Sequence, residues 1–459
     1  MKLAFAPVIL ALTVGCQPMD YNPEPASRAA AAPAGLQMQP MKLFSEARGG
    51  QARITQSNSD IARDFLDLTF MLESGRALPV LTRFEEPIRV RISGAPPAGM
   101  TTELDRVLKR MRGEADIDIQ RTSGEANVII QAVSSAQIRK HLPQAACFVV
   151  PNVTSLSDYA AARRNDGASW TTLTERKRIA IFVPNDVSPQ EVRDCLHEEL
   201  AQAIGPLNDL YRLDSSVFND DNIHTVLTSF DMLILRAYYD PRLHSGMTRD
   251  EVAARLPEIL ARLNPAGANR GAQYISATPR PWIEAIQTAL GPGASAPNRL
   301  RAAQRALDIA IAQGWNDHRL AFSHYALGRL VQARDPAQAV AHYRSADIIY
   351  ARSGTTAIHR AFVRTQLAAH SLARGDASGA LRTLRGQAEL ARRYENAALL
   401  ASIQMLEAEA LDYTGDADQA RKVRRDSIGW ARYGFGPDWA VRAKLSEVAA
   451  LNPKKTGGS

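Results

Sequence analysis

The chain has 459 residues, of which 45% are hydrophobic and 22% charged. That length gives two or three domains at roughly 100 to 200 residues each, and the composition excludes a single small module, a collagen-like chain and a wholly disordered one. The net charge of +7 is unevenly placed: residues 296–459 carry 24 basic and 15 acidic residues, or +9, which leaves −2 for the rest.

The N-terminus reads as an export signal. Lys2 precedes an apolar run from Leu3 to Val14 and then Gly15, a run too short for the ~20 residues that span a bilayer. Residues 1–15 are therefore expected to be a cleaved signal peptide, which argues against nucleic acid as the partner of the basic region. Thr13-Val14-Gly15-Cys16 resembles a bacterial lipobox, which implies Cys16 as the lipidated mature N-terminus, held by acyl chains at ~0.8 kcal/mol per buried CH₂. Gln17 in place of Asp favours the outer membrane over the inner. The expected location is the bacterial cell envelope, lipid-anchored and facing the periplasm. In that oxidising compartment Cys147 and Cys195, the remaining even pair, are expected to form a disulfide. Residues 16–58 hold five prolines and an alanine run, the composition of a flexible membrane tether.

Residues 59–263 alternate between helical and strand periods. Ile61, Phe65, Leu68 and Leu72 share one helical stripe closed by Gly75. Ile88, Val90 and Ile92 alternate as a strand, and Thr102 to Met111 is helical. Asp116 to Arg121 and Asn127 to Val133 read as strands, an irregular stretch follows, and Ile179 to Val183 is the continuous apolar run of a buried strand. The next helix opens on Ser188-Pro189-Gln190-Glu191, a capping box with proline in the first turn, and ends at Gly205-Pro206. Its Cys195, Glu198, Glu199 and Gln202 share a face. Helices from Thr225 to Tyr239 and from Thr248 to Leu263 close the domain.

A metzincin zinc peptidase needs His and Glu at i and i+1, His at i+4, Gly at i+7 and a third ligand at i+10. The stretch from Glu198 to Asn208 keeps that spacing, with Glu199 as the general base and Gly205 as the turning glycine. Glu198, Gln202 and Asn208 stand at the ligand positions, with Asp209 beside the last. Ser216-Val217-Phe218-Asn219 resembles the Met-turn segment of those enzymes with Phe218 where Met is usual, and Asp231, Leu235-Arg236 and Tyr238 resemble their closing helix. In wording, Cys195 to Asp209 and Val217 to Pro241 are similar to a bacterial envelope family called domain of unknown function 2927, over roughly residues 60–262. The resemblance implies a zincin-like α+β fold and brings no settled activity. Three readings of the site stay open. One is a peptidase fold without catalytic metal. Another is a working site with one divalent metal harder than zinc, held by Glu198, Gln202, Asn208 and Asp209 with Glu199 as base. The third is a solvated helix face. His197 and His224 are more simply core or surface histidines than ligands.

Residues 264–298 are rich in Gly, Pro and Ala around one short helix near Trp282 to Leu290, as in a linker. From 299 to 452 the chain is all helical. Asp335 with Ala339, Asp376 with Ala380, and Asp416 with Ala420 recur at spacings of 41 and 40 residues, a helical-hairpin period. Each aspartate should cap the second helix of a pair, and the pattern resembles the tetratricopeptide class. The expected fold is thus a zincin-like (metzincin-type) α+β domain followed by an all-α tetratricopeptide-like solenoid. The expected function is protein or peptide binding in envelope assembly or quality control. The rivals are a metallopeptidase with oxygen-rich ligands and an adaptor that binds cell-wall polymer or anionic lipid through the basic solenoid.

Overall fold

The structure is a computed structural model that describes residues 38–44, 54–164 and 167–456. Cys16 and the expected signal lie outside the described residues. The described residues divide into two compact units, one within 54–277 and one formed by 278–456 together with residues 38–44. Among the described residues, no helix is long and apolar enough to cross a membrane.

The first unit is a mixed sheet with helices on both faces. Its strands are β1 (Ile88–Gly94), β2 (Ile119–Arg121), β3 (Val128–Val133), β4 (Phe148–Pro151) and β5 (Ile179–Pro184), in the order β2-β1-β3-β5-β4. β1 runs parallel to β2 and β3, and β3 parallel to β5, while the edge strand β4 is antiparallel to β5. β5 is buried along its whole length, as its unbroken apolar run requires. The helices are α1 (Asn58–Thr69), α2 (Met100–Ala115), α3 (Ser135–His141), α4 (Leu156–Ala162), α5 (Pro189–Ile204), α6 (Ser229–Tyr238), α7 (Arg249–Leu263) and the single turn α8 (Pro265–Ala268). The main core lies between one sheet face and α1, α2 and α5 to α7, around Phe65, Leu104, Val107, Ile130, Ile181, Leu200 and Ile234. A smaller core on the other face joins Ile138, Phe148, Val150, Leu156 and Phe182.

Several expectations need correction. α1 ends at Thr69, not at Gly75: Leu72 leaves the stripe because the chain turns back at Gly75, and Met71 bridges Ala77. The second expected strand shrinks to Ile119–Arg121 because Asp116 takes a left-handed φ of 58° to end α2. The stretch read as irregular holds α3, β4 and α4. β4 has only four residues, too few to show a period.

The second unit is all helical: α9 (Arg280–Leu290), α10 (Ala296–Ala312), α11 (His318–Val331), α12 (Pro336–Tyr350), α13 (Ala357–Ala373), α14 (Ala377–Leu384), α15 (Gln387–Arg393), α16 (Ala397–Thr414), α17 (Ala417–Phe435), α18 (Asp438–Ala449) and α19 (Pro453–Thr456). α9 falls in the stretch read as linker, yet Trp282 is fully buried, donates to Ser323 Oγ at 3.0 Å and meets the Trp315 ring edge-on. The repeated aspartates cap α12, α14 and α17: Asp335, Asp376 and Asp416 accept from the backbone N–H groups of Gln338, Gly379 and Gln419 at 2.9, 2.8 and 3.3 Å. Ala339, Ala380 and Ala420 are fully buried, so neighbouring helices approach over a methyl group. Asp376→Ala should cost about 1 kcal/mol, read as a lower urea midpoint with the helical circular dichroism of the native state unchanged.

Candidate functional site

The site is built on α5 and the loop after it. Ser188 and Glu191 cap each other, with Ser188 N–H donating to Glu191 Oε2 at 2.9 Å and Glu191 N–H to Ser188 Oγ at 3.2 Å. The Cys147–Cys195 disulfide joins the residue before β4 to the middle of α5, so the edge strand is held three residues from Glu198. Gly205 ends the helix where a Cβ would lie 2.7 Å from Leu235 Cδ2 on α6. A larger residue there would force the buried Leu235 side chain to shift.

Beyond Gly205 the chain is fastened to α1. The Leu207 and Asn208 N–H groups both point to Leu68 O, and Asn208 Nδ2 donates to Asp67 O at 2.9 Å. Buried Arg212 then reaches back to Asp64 Oδ1 at 2.7 Å and Asp67 Oδ2 at 2.8 Å. Asp231 holds the next turn: its carboxylate accepts from Ser216 Oγ, Val217 N and Thr228 N. Phe218, expected from the sequence in the place of a Met-turn methionine, is fully buried.

Between these fastenings lies a cluster of carboxyl groups. Glu198 is half-buried, Glu199 is 6% exposed, and Asp209 is half-buried. Burial, then the charges of Asp220, Glu73 and Asp194, push Glu198 up to about 8. Burial followed by Glu198 and Glu73 pushes Glu199 well above the usual carboxylate range, and burial with Glu73, Glu198 and Asp220 does the same to Asp209. The physical reason is that like charges crowd a partly dry space. Buried Tyr211 donates to Asp220 Oδ2 at 2.8 Å, and Gln202 Nε2 reaches Asp209 Oδ2 only at 3.5 Å. Glu199 Oε2 and Asp209 Oδ1 are buried without a hydrogen-bond partner.

The structure thus brings together Glu198, Glu199 and Asp209 and sets Gln202 beside them, whereas the Asn208 amide is spent on α1. His197 is a core residue: its Nδ1 accepts from Leu227 N–H at 3.2 Å, and burial, with Arg110 and Arg193 nearby, holds it well below the usual imidazole range. His224 Nε2 lies 3.2 Å from Asp214 O. Glu73, Asp194, Tyr211 and Asp220 join the cluster without having been singled out by spacing. Composition does carry a signal for it, since residues 189–231 hold nine acidic and two basic residues.

Zinc does not fit this set, because no imidazole stands at a ligand position and the Asn208 side chain is committed elsewhere. Among the described residues, no group of three or more His, Cys, Asp or Glu side chains is arranged to hold a metal ion. What the arrangement offers is a crowded, partly dry group of carboxyls that hold protons near neutral pH and that a cationic group would favour in their ionised form, with one of them, near pH 8, able to exchange a proton.

No curated protein matches the chain. Residues 58–258 match the model of the family described as protein of unknown function (DUF2927), which supports placing that segment of the chain in the DUF2927 family.

Proposed function

We propose that the chain is a lipid-anchored, periplasm-facing cell-envelope protein that binds protein segments through a zincin-like, non-catalytic α+β unit and a tetratricopeptide-like scaffold, in envelope assembly or quality control. The observation that carries the reading is the crowding of Glu198, Glu199 and Asp209 with an unpartnered buried oxygen on Glu199. Such a cluster gains most from an ammonium or guanidinium group, as on a Lys or Arg side chain of an extended peptide, whose charge would draw off the carboxyl protons. Among the described residues the edge strand β4 pairs with β5 alone, which supports peptide entry by strand addition. The disulfide keeps that edge beside the carboxyl groups.

The test uses the soluble chain from residue 17, purified without chelator, with fluorescent extended peptides bearing either Arg or Gln at a central position. The Arg peptide should bind at least tenfold tighter than the Gln peptide, lose that advantage in Glu199→Gln, and be recovered intact. The unpartnered Glu199 oxygen also supports the rival reading, a metallopeptidase with oxygen ligands. Cleaved peptide, together with about one divalent metal per chain lost in Glu198→Ala, would replace the binding reading by that one.

A further inference from the structure

The tether expected over residues 16–58 is not bare throughout: residues 39–44 lie as an extended strap along α17. Backbone bonds fix its course. Lys42 N–H donates to Gly429 O at 3.0 Å, and Arg432 Nη1 donates to Gln39 O at 3.0 Å. Arg425 Nε adds a bond to Gln39 Oε1 at 3.2 Å. Lys42 Nζ pairs with Asp426, itself held by Gln404 Nε2 at 2.6 Å, and lies 5.6 Å from the centre of the Trp430 ring. Phe44 is 6% exposed, stacked on Trp430 at 4.7 Å and edge-on to Tyr433 at 6.0 Å. Met41 and Leu43, the alternate residues, are exposed.

Gly429 shows that the helix surface is shaped for this segment. It stands inside a long helix, where glycine costs about 1 kcal/mol relative to alanine. A Cβ there would lie 2.8 Å from Lys42 Cγ and 2.9 Å from Pro40 O.

We propose that the α17 face formed by Arg425, Asp426, Gly429, Trp430, Arg432 and Tyr433 is a recognition site for an extended segment with a basic residue and an aromatic ring two positions apart. The chain's own strap is its resident occupant, and a partner bearing the same basic-x-aromatic pattern exchanges with it. Main-chain bonds give such a segment affinity, while the Asp426 carboxylate and the Trp430–Tyr433 cradle select its side chains. Because the strap is part of the same chain, its high effective concentration excludes weak competitors. The proposal sharpens the scaffold reading of the helical unit and rests on that alone.

The test titrates a labelled peptide of residues 36–46 into the full chain and its variants. Phe44→Ala loosens the strap and should raise the apparent affinity for the peptide at least tenfold over the unaltered chain. Adding Gly429→Ala to Phe44→Ala should abolish that gain while helical circular dichroism holds or rises, since alanine favours the helix. A Lys42→Glu, Phe44→Ala version of the peptide should not bind. Absence of peptide binding to Phe44→Ala, or binding unaffected by Gly429→Ala, overturns the proposal. Neither outcome touches the Arg-peptide assay of the carboxylate cleft, so the two readings fail separately.

Discussion

Arg176→Met should cost the α+β unit about 3–5 kcal/mol, because each buried carbonyl left without a donor costs about 1–3 kcal/mol. Arg176 is 2% exposed, and its guanidinium serves the C-terminal end of the site helix. Nη1 donates to Gln202 O at 2.7 Å and Ala203 O at 2.9 Å, and Nη2 to Gly205 O at 2.5 Å. These belong to the last turn and cap of α5, where carbonyls lack helical partners and a positive charge is favourable. Nε bonds Thr82 Oγ1 at 3.2 Å, and the group stacks 5.2 Å from the Trp170 ring centre. Methionine fills the space and satisfies none of the three carbonyls. Urea denaturation at neutral pH measures the loss; a change under about 1 kcal/mol would show that water replaces the guanidinium and that the helix end does not depend on it.

Glu198→Gln should stabilise the folded chain at pH 8, by on the order of 3 kcal/mol, and leave it nearly unchanged at pH 4.5. In the unfolded chain this carboxyl ionises near 4.5, and in the folded one at about 8. Between those values the folded state keeps a proton that the unfolded state releases. Stability from this group is therefore greatest below pH 4.5, falls as pH rises, and levels off above about 8. Glutamine carries no such proton and removes the fall. Glu199 and Asp209 shift the same way, so the variant keeps a residual slope of the same sign. Thermal unfolding at the two pH values decides the matter. Equal destabilisation at both would mean that the carboxylate is held by favourable contacts rather than crowded by its neighbours.

The features legible in the sequence were those written in a few consecutive residues. The Ser188 to Glu191 box placed the start of α5 correctly, Gly205 placed its end, and the three aspartates placed the caps of α12, α14 and α17. Each rests on local hydrogen-bond geometry that spacing alone reveals. β4 escaped notice because four residues show no period, and its place at the edge is fixed by pairing with Phe182 to Ile179. Glu73 and Asp220 escaped for a related reason: they come from turns outside α5, brought to it by the fold. The Asn208 position illustrates the limit of spacing, since ten residues after Glu198 the side chain faces α1. The docked strap carried no periodic signal, and of the two glycines inside α17 it is Gly429 that lies on its path.

The strap also decides where tension would fall. Met38 is 22 residues from Cys16, a leash of at most roughly 75–80 Å. If the chain is held at Cys16, a pull on that leash meets Gln39, Lys42 and Phe44 on α17 before it reaches α1. The first load is then borne by the strap's contacts on the helical unit. A partner that displaces the strap would release residues 39–44 from α17 and make α1 the next structured element that the chain meets after Cys16.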